Sequence, residues 1–318
     1  MNPQDHIDKL FASIEKSVAL FDDAIPRVEN QMLAEVELLL KELDLAAGSI
    51  KPSVKNLKLA ARINRKLNSI VLDNDLYNET SADFMTAFDE IAIQQNAYFR
   101  AIEKSFKPSA MLKEMQAQAI ASTELSLFGA GIDANVIEPI SDLLRKNITA
   151  GADYFALVGQ MKDFIGGYGE TLGHLDRYIK QITTDALNQY SAQYMDVVSN
   201  DLNLQWYSYN GPRRLTSRKF CIAMVAKRFF YRKEIPNLIK GLFPEFRSAG
   251  GTLYSNTNLP HGMVAGTNSD NFLIYRGGYN CPHQPIPIAE IRVPKTIRVA
   301  TYEKHGIKYD SNGFAQAA

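Results

Sequence analysis

Residues 172–202 read LGHLDRYIKQITTDALNQYSAQYMDVVSNDL, and they divide the chain into two parts of different character. Apolar residues recur in this stretch at steps of three and four, from Leu172 through Ile179 and Tyr190 to Val197. That step is the period of one helix face, and it continues without a break. The stretch therefore predicts a single continuous helix about 45 Å long, at 1.5 Å per residue, that links two bodies.

The residues before this stretch also predict helices. Apolar residues from Ile7 to Phe21 keep the helical step, and Pro26 stands where a second helix would begin, because proline is favoured in the first turn. The next predicted boundaries are an end at Gly48, a start at Pro52-Ser53, an N-cap at Thr80 or Ser81, and helices over 110–128, 134–147 and 152–165. The sequence thus predicts a helical N-terminal domain over residues 1–170.

The composition changes after the long helix. Residues 1–200 contain five prolines and residues 201–318 contain eight, in little more than half the length. Short apolar runs predict strands at 205–209, 229–231, 272–275 and 297–302, and short helices at 218–225 and 234–242. The predicted fold class is α+β: a mainly helical N-terminal region (1–170), a long bridging helix (171–203), a small mixed α/β C-terminal module (204–303) and a tail (304–318).

Composition and charge set limits on the function. The 318 residues carry a formal net charge of zero, so the whole chain does not indicate a polyanionic partner. Acidic residues dominate 5–44 and basic residues dominate 213–247. Two cysteines are too few for a disulfide scaffold and are typical of a protein made in a reducing cytoplasm. The N-terminus does not resemble a targeting peptide, and no stretch approaches the roughly 18 apolar residues of a membrane span.

Signatures of catalysis are absent from the sequence. The glycines of Gly166-Gly167-Tyr168-Gly169 follow a helix-like segment rather than a strand, and no Lys-Ser or Lys-Thr follows them, so they predict a break between helices and not a phosphate-binding loop. The sequence contains no HExxH or GxSxG motif. No catalytic residue is assigned on this basis, and a protein that binds rather than catalyses is predicted.

An ordered set of short motifs lies between Pro212 and His283. The motifs are TSRKFC at 216–221, FYRKEI at 230–235, GM at 262–263, GTN at 266–268 and IYRGGYNCPH at 274–283, preceded by LQWYSYNG at 204–211. In this order and spacing they resemble the C-terminal module of MuF-like phage head-morphogenesis (minor head) proteins, over roughly 190–295. The chain departs from the family pattern at Pro282, where a basic residue is expected, and at 224–227, which replace a Gly-Lys turn.

The resemblance implies a minor structural protein of a tailed-phage head, made in the bacterial cytoplasm and located in the virion. It implies binding to the portal or the major capsid protein during head assembly, near the portal or the inner capsid wall, in several copies per particle. No membrane partner is expected. The competing interpretations are a metal-dependent nuclease that uses His261, Asn280 and His283, and a host-directed effector packaged with the DNA.

The two cysteines lie inside the matching motifs. Cys221, Cys281 and His283, with His261 as a fourth ligand, would supply the sulfur and nitrogen atoms that tetrahedral zinc favours. The spacing lacks the paired CxxC motifs of the strongest zinc sites. Three alternatives stay open at this point: no cofactor and a reduced, packed cysteine pair, a zinc site, or a disulfide formed after release from the cell.

Basic residues interleaved with aromatic ones follow the long helix. The residues predicted to contact packaged DNA or an acidic partner are Arg213, Arg214, Arg218, Lys219, Lys227, Arg228, Arg232 and Lys233. Contact with DNA would be independent of its sequence, since the pattern carries no base-reading signature. A solvated surface explains the same residues equally well.

Overall fold

The computed structural model describes residues 2–316, and helices form most of it. The helices before the long helix are α1 (Pro3–Ala19), α2 (Phe21–Leu40), α3 (Val54–Leu72), α4 (Asp75–Met85), α5 (Ala87–Ile102), α6 (Ala110–Leu127), α7 (Ala130–Ile132), α8 (Glu138–Ala150) and α9 (Tyr154–Gly166). A π-helical segment, Asp133–Ile137, joins α7 to α8. Strands β1 (Leu45–Ala46) and β2 (Ser49–Ile50) form a small antiparallel hairpin between α2 and α3.

The predicted long helix is confirmed as α10 (His174–Asp201), which is continuous over 28 residues. The elements after it are β3 (Trp206–Asn210), α11 (Lys219–Lys227), β4 (Phe229–Tyr231), α12 (Ile235–Ile239), α13 (Pro244–Ser248), α14 (Phe272–Tyr275), β5 (Gln284–Ile288) and α15 (Lys295–His305). The mainly helical α+β fold with a small mixed C-terminal region is therefore as predicted.

The described chain divides into two compact units that are not consecutive in sequence. One unit contains residues 2–11, 89–116 and 184–316, and the other contains 12–88 and 117–183. The predicted domains were consecutive segments, and they differ from these units. The difference arises because α5 bonds to residues far along the chain: Tyr98 Oη donates to the carbonyl of Pro287 at 2.5 Å, and Gln95 Nε2 donates to that of Ser191 in α10 at 2.8 Å.

The unit of residues 12–88 and 117–183 is a packed set of amphipathic helices. Helix α2 contacts α3, α4 and α9, and α3 also contacts α8. Along α2, Val28, Met32 and Val36 follow the helical step and are buried. The starts of α3 and α4 are capped, since Ser53 Oγ accepts from the amide of Asn56 at 3.2 Å, and Asn74 Oδ1 accepts from that of Tyr77 at 2.9 Å.

Glu29 of α2 is buried at the first turn of α10. Its Oε1 accepts a hydrogen bond from the backbone amide of Asp176 at 3.1 Å, and the residue is 7% exposed. A Cβ on Gly173 would lie 2.2 Å from the same oxygen, so only glycine leaves room for this carboxyl. Burial raises the pKa of Glu29 to about 7, although the bond to Asp176 opposes the shift.

The unit that contains the C-terminal residues is built on a three-stranded antiparallel sheet in the order β4-β3-β5. Side chains of the central strand alternate between its two faces. Tyr207 and Tyr209 pack into an aromatic core with residues of α11 to α14, whereas Trp206 packs on the opposite face with Tyr231 and Tyr302. Trp206 Nε1 donates to Tyr302 Oη at 2.8 Å, which fixes α15 against this second face.

Two predicted strands are wrong, and β1, β2 and β5 were missed. Residues 272–275 form α14, and residues 297–302 lie within α15, where Arg298, Thr301 and Tyr302 are buried at the helical spacing. Strand β5 carries Pro285 and Pro287, residues that disfavour a central strand but are compatible with an edge strand. The strands predicted at 205–209 and 229–231 are confirmed as β3 and β4.

Several predicted helix boundaries are also wrong. Helix α2 begins at Phe21 and contains Pro26 in its second turn, and it ends at Leu40 rather than at Gly48. Gly48 instead occupies the turn of the β1–β2 hairpin with φ of +83°. Helix α4 begins after Asn74, so Thr80 and Ser81 lie inside it, whereas the predicted start at Ser53 is confirmed.

The predicted tail, residues 304–318, is folded onto α15 as far as residue 316. Arg298 donates to the carbonyls of Asn312 at 2.8 Å and Gly313 at 2.9 Å, and its guanidinium lies 4.1 Å from the centre of the Phe314 ring. Residues 317 and 318 lie outside the described part of the chain.

Candidate metal centre

Three side chains with metal-ligating atoms meet in the C-terminal module. The sulfur of Cys221 lies 3.5 Å from that of Cys281, and the Cys281 sulfur lies 3.7 Å from Nδ1 of His283. All three ligand atoms lie within 4.8 Å of one another. The residues are 1%, 3% and 2% exposed in that order, so the cluster is sealed from solvent.

Local structure explains why these residues meet. Cys221 lies in the first turn of α11 and points into the aromatic core beside Phe220. Cys281 and His283 end the loop that precedes β5, and β5 pairs with β3 from Gln284 onward. The strand pairing thus delivers the end of the loop to the same core that α11 covers.

Gly277 is the closest part of the loop to the two sulfurs. A Cβ at this position would lie 2.4 Å from the Cys221 sulfur and 2.6 Å from the Cys281 sulfur. These distances are far shorter than any non-bonded contact, so the backbone passes directly over the sulfur pair. Glycine is required at position 277 because every other residue would force the cysteines apart.

A buried arginine holds the loop closed. Arg276 is 2% exposed; its Nε donates to the carbonyl of His283 and its Nη1 donates to that of Ile274 at 2.5 Å. Its Nη2 lies 3.4 Å from Oδ1 of Asn188, a residue of α10. The guanidinium therefore ties both ends of the loop to the long helix.

Helix α10 supplies further anchors for the loop. Asp185 Oδ1 accepts from the amide of Asn280 at 2.7 Å, and burial raises the pKa of this carboxyl to about 6. Asn188 Oδ1 accepts from Gln284 Nε2 at 2.9 Å, and Ser191 Oγ donates to Gln284 Oε1 at 2.7 Å. The loop that carries Cys281 and His283 is thus fixed to α10 along its length.

The two thiols differ in acidity. A hydrogen bond from Cys221 lowers the pKa of Cys281 well below its ordinary value; burial opposes this shift, and His283 and Arg276 add to it. The same bond raises the pKa of Cys221 well above its ordinary value, and burial adds to that shift. The arrangement therefore favours a thiolate at Cys281, the form in which cysteine binds metals.

Tyr209 and His283 complete the site. The ring of Tyr209 stacks on the imidazole with 5.8 Å between centres, and its hydroxyl lies 3.7 Å from the Cys221 sulfur. Nδ1 of His283 faces Cys281, and Nε2 is buried without a hydrogen-bond partner in the described structure. A Cβ on Gly211 would collide with this ring at 2.6 Å, so the imidazole has no space to turn away.

The predicted fourth ligand, His261, lies outside the cluster. It is exposed, its ring stacks on Tyr254 with 4.1 Å between centres, and its Nε2 lies 3.2 Å from the carbonyl of Leu253. The prediction failed because His261 follows Pro260 in a loop whose direction the sequence does not determine. Within the competing nuclease set, His261 is exposed, whereas His283 is buried and faces the Cys281 sulfur.

The eight predicted contact residues fall into two groups. Arg213, Arg214, Lys219, Arg228 and Lys233 are exposed. The other three are half-buried and bond within the module: Arg218 Nη2 donates to the Tyr279 carbonyl at 2.7 Å, Lys227 pairs with Glu234 at 3.0 Å, and Arg232 pairs with Asp196 at 2.9 Å. These three stabilise the C-terminal part of the chain, whereas the other five side chains are exposed to solvent.

The sequence interpretation missed the second layer of the site. Arg276, Gly277 and Tyr209 stand inside the motifs quoted for the resemblance, but nothing in their spacing indicates that they surround the cysteines. Asp185 and Asn188 were hidden in a helix predicted only as a bridge.

Comparisons of the chain with protein-family models, with curated proteins and with solved structures gave no match.

Among residues 2–316, no helix has both the length and the apolar character needed to cross a lipid bilayer.

Proposed function

We propose that this chain is a minor structural protein of a tailed-phage head that acts by binding the portal or the major capsid protein during head assembly. The proposal starts from the motif set that resembles MuF-like minor head proteins. The proposal includes three further statements: the protein is located in the virion, it is present in several copies per particle, and it binds rather than catalyses.

One observation supports the proposal above all. The two motifs that carry most of the resemblance, 216–221 and 274–283, lie against each other: Arg218 Nη2 donates to the Tyr279 carbonyl at 2.7 Å, and the two cysteine sulfurs are 3.5 Å apart. A chance match of short motifs gives no reason for such contact. A module shared with the family explains the contact, because the residues that such proteins have in common would be those that stabilise the module.

The loop between β3 and α11 offers a surface for the partner. Leu215 is fully exposed, at 108% of its reference area, beside the exposed Arg213 and Arg214. An apolar side chain flanked by two positive charges matches a capsid or portal surface that has an apolar pocket with an acidic rim. The exposed basic residues add a sequence-independent contact with packaged DNA.

Particle composition tests this proposal. Leu215→Asp is introduced into the phage that carries the gene, and purified heads are analysed by quantitative mass spectrometry. We expect the wild-type chain in several copies per head and a large reduction for the variant. Leu38→Asp, at an α2 position that is 57% exposed, is the matched control and should be incorporated normally. Absence of the wild-type chain from purified heads contradicts the proposal.

The nuclease alternative has its own test. Purified full-length chain is incubated with DNA and magnesium, manganese or zinc, and we expect no cleavage. Cleavage that is lost in the double variant His261→Ala/His283→Ala would assign the chain to the enzyme class instead.

A further inference from the structure

We propose that Cys221, Cys281 and His283 bind one zinc ion through the two thiolate sulfurs and Nδ1 of the imidazole. This proposal is independent of the proposed role in the phage head, since it rests on the geometry of three side chains. The sequence left open a packed cysteine pair, a zinc site and a disulfide, and the proposal selects the zinc site.

The distances match the edges of a tetrahedral zinc site. Zinc–sulfur bonds of about 2.3 Å and zinc–nitrogen bonds of about 2.0–2.1 Å place two sulfurs about 3.8 Å apart, and a sulfur and a nitrogen about 3.6 Å apart. The corresponding distances are 3.5 Å between Cys221 and Cys281 and 3.7 Å between Cys281 and His283. These two edges fit within a few tenths of an ångström, and the third edge, from the Cys221 sulfur to Nδ1 of His283, is within 4.8 Å and would shorten when the ion binds.

The chemistry of the ligands selects the ion. Two sulfurs and one imidazole nitrogen suit zinc, whereas magnesium and calcium require oxygen ligands. Two thiolates neutralise the charge of Zn²⁺, so the neutral assembly tolerates a site whose ligands are at most 3% exposed. Three protein ligands leave one coordination position, and the Tyr209 hydroxyl, 3.7 Å from the Cys221 sulfur, lies within reach of it.

The surroundings are arranged for an ion rather than for a mere cysteine pair. His283 is buried, its Nδ1 faces the sulfurs, and the described structure gives its Nε2 no hydrogen-bond partner. A buried imidazole with no strong partner at either nitrogen is costly, and coordination of Nδ1 by zinc removes half of that cost. Gly277 keeps the backbone close over the sulfurs, as a loop that encloses an ion requires.

Metal content and cobalt spectroscopy of the full-length chain test the proposal. Protein purified under reducing conditions from zinc-supplemented cells should contain about one zinc ion per chain, as expected of a structural site. Exchange of zinc for Co²⁺ should produce thiolate-to-cobalt charge-transfer absorption and the visible bands of a tetrahedral centre. Both cysteines should resist a thiol reagent until the metal is removed with a chelator.

Matched variants identify the ligands. Cys281→Ser and His283→Gln should lose the ion and the charge-transfer bands, whereas His261→Ala should keep both, because that histidine is exposed and outside the cluster. Circular dichroism separates lost binding from lost folding, and the cobalt spectrum of the unaltered chain needs no variant at all. The proposal is overturned if the wild-type chain contains no zinc, takes up no cobalt or has reactive thiols. It is also overturned if Cys221 and Cys281 form a disulfide under reducing conditions, or if the site contains copper in place of zinc.

Discussion

The sulfur atoms of Cys221 and Cys281 lie 3.5 Å apart, although the two cysteines are separated by 60 residues in the sequence. The approach depends on the backbone of Gly277, which passes over both atoms. The contact thus links α11 to the loop before β5, and perturbing it should loosen the whole aromatic core.

Gly277→Ala tests this link. The added methyl group would overlap both sulfurs, so we expect a loss of about 1–3 kcal/mol in the free energy of unfolding, the usual cost of overpacking. Gly159→Ala is the control: a Cβ there meets nothing within 4 Å in α9, and alanine should stabilise the helix by about 0.5–1 kcal/mol. Urea denaturation measures both variants, and equal stabilities would refute the close approach.

Arg232 should be a structural residue rather than a DNA contact. Its guanidinium donates to Asp196 Oδ1 at 2.9 Å and to Ser199 Oγ at 3.0 Å, and it also bonds to the Tyr207 hydroxyl. Arg232→Ala removes the charge-assisted bonds of the guanidinium to these three partners, so we expect a loss of about 2–3 kcal/mol. The exposed Arg213→Ala should change stability by less than about 0.5 kcal/mol. Similar values for the two variants contradict this assignment.

The anchor between α5 and β5 can be tested with a single hydroxyl. Tyr98 is 3% exposed and its Oη donates to the Pro287 carbonyl at 2.5 Å. Tyr98→Phe keeps the ring and removes the bond, and we expect a cost of about 1 kcal/mol. Tyr168→Phe, at a position that is 76% exposed, should be neutral within the error of the same thermal-unfolding measurement. If Tyr98→Phe leaves the thermal stability unchanged, the hydrogen bond to Pro287 does not contribute to stability.

Glu29 should make stability depend on pH. Its pKa is about 7 in the folded chain and near the ordinary 4.5 when unfolded, so the folded state binds the extra proton between these values. Stability from this group is present below about pH 4.5 and is lost as the pH rises through 7, by up to about 3 kcal/mol at 1.4 kcal/mol per pKa unit. Glu29→Gln remains uncharged, so it should be increasingly more stable than wild type from pH 5 to pH 8. A constant difference across that range contradicts the raised pKa.

The proposed DNA contact predicts a salt dependence. The triple variant Arg213→Ala/Lys219→Ala/Lys233→Ala should bind duplex DNA more weakly, and its slope of log K against log salt should fall by up to about 0.9 per lost phosphate contact. The control triple Lys58→Ala/Arg65→Ala/Lys66→Ala removes the same charge from exposed positions of α3. Filter binding at several salt concentrations compares them. Equal slopes for the two triples reject a contact at the predicted residues.

The sequence predicted elements well where one period persisted over many residues. Helix α10 is the clearest case, because the apolar step that predicted it runs unbroken from Leu172 to Val197. Short elements were ambiguous. Residues 272–275 and 297–302 are rich in aromatic and β-branched residues, and tertiary contacts decide that they are helical. Pro26 also misled the prediction of a helix start. It lies in the second turn of α2, which begins five residues earlier at Phe21.

The candidate site was predictable in part. The resemblance placed Cys221, Cys281 and His283 in one compact module, and their ligand atoms lie within 4.8 Å of one another. The sequence left open a packed cysteine pair, a zinc site and a disulfide, and the zinc proposal selects one of the three. The position of His261 and the hydrogen bonds of Asp185 and Asn188 depend on how segments distant in sequence pack together. The spacing of residues along the chain does not predict such long-range contacts.

The prolines of β5 have a consequence for the chain as one of many copies. An exposed sheet edge invites another strand to pair with it, which is a common route to aggregation. Pro285 and Pro287 have no N–H to offer, and the Pro287 carbonyl is already bonded to Tyr98. The outer edge of β5 is thereby blunted as a template for intermolecular strand pairing between copies of the chain.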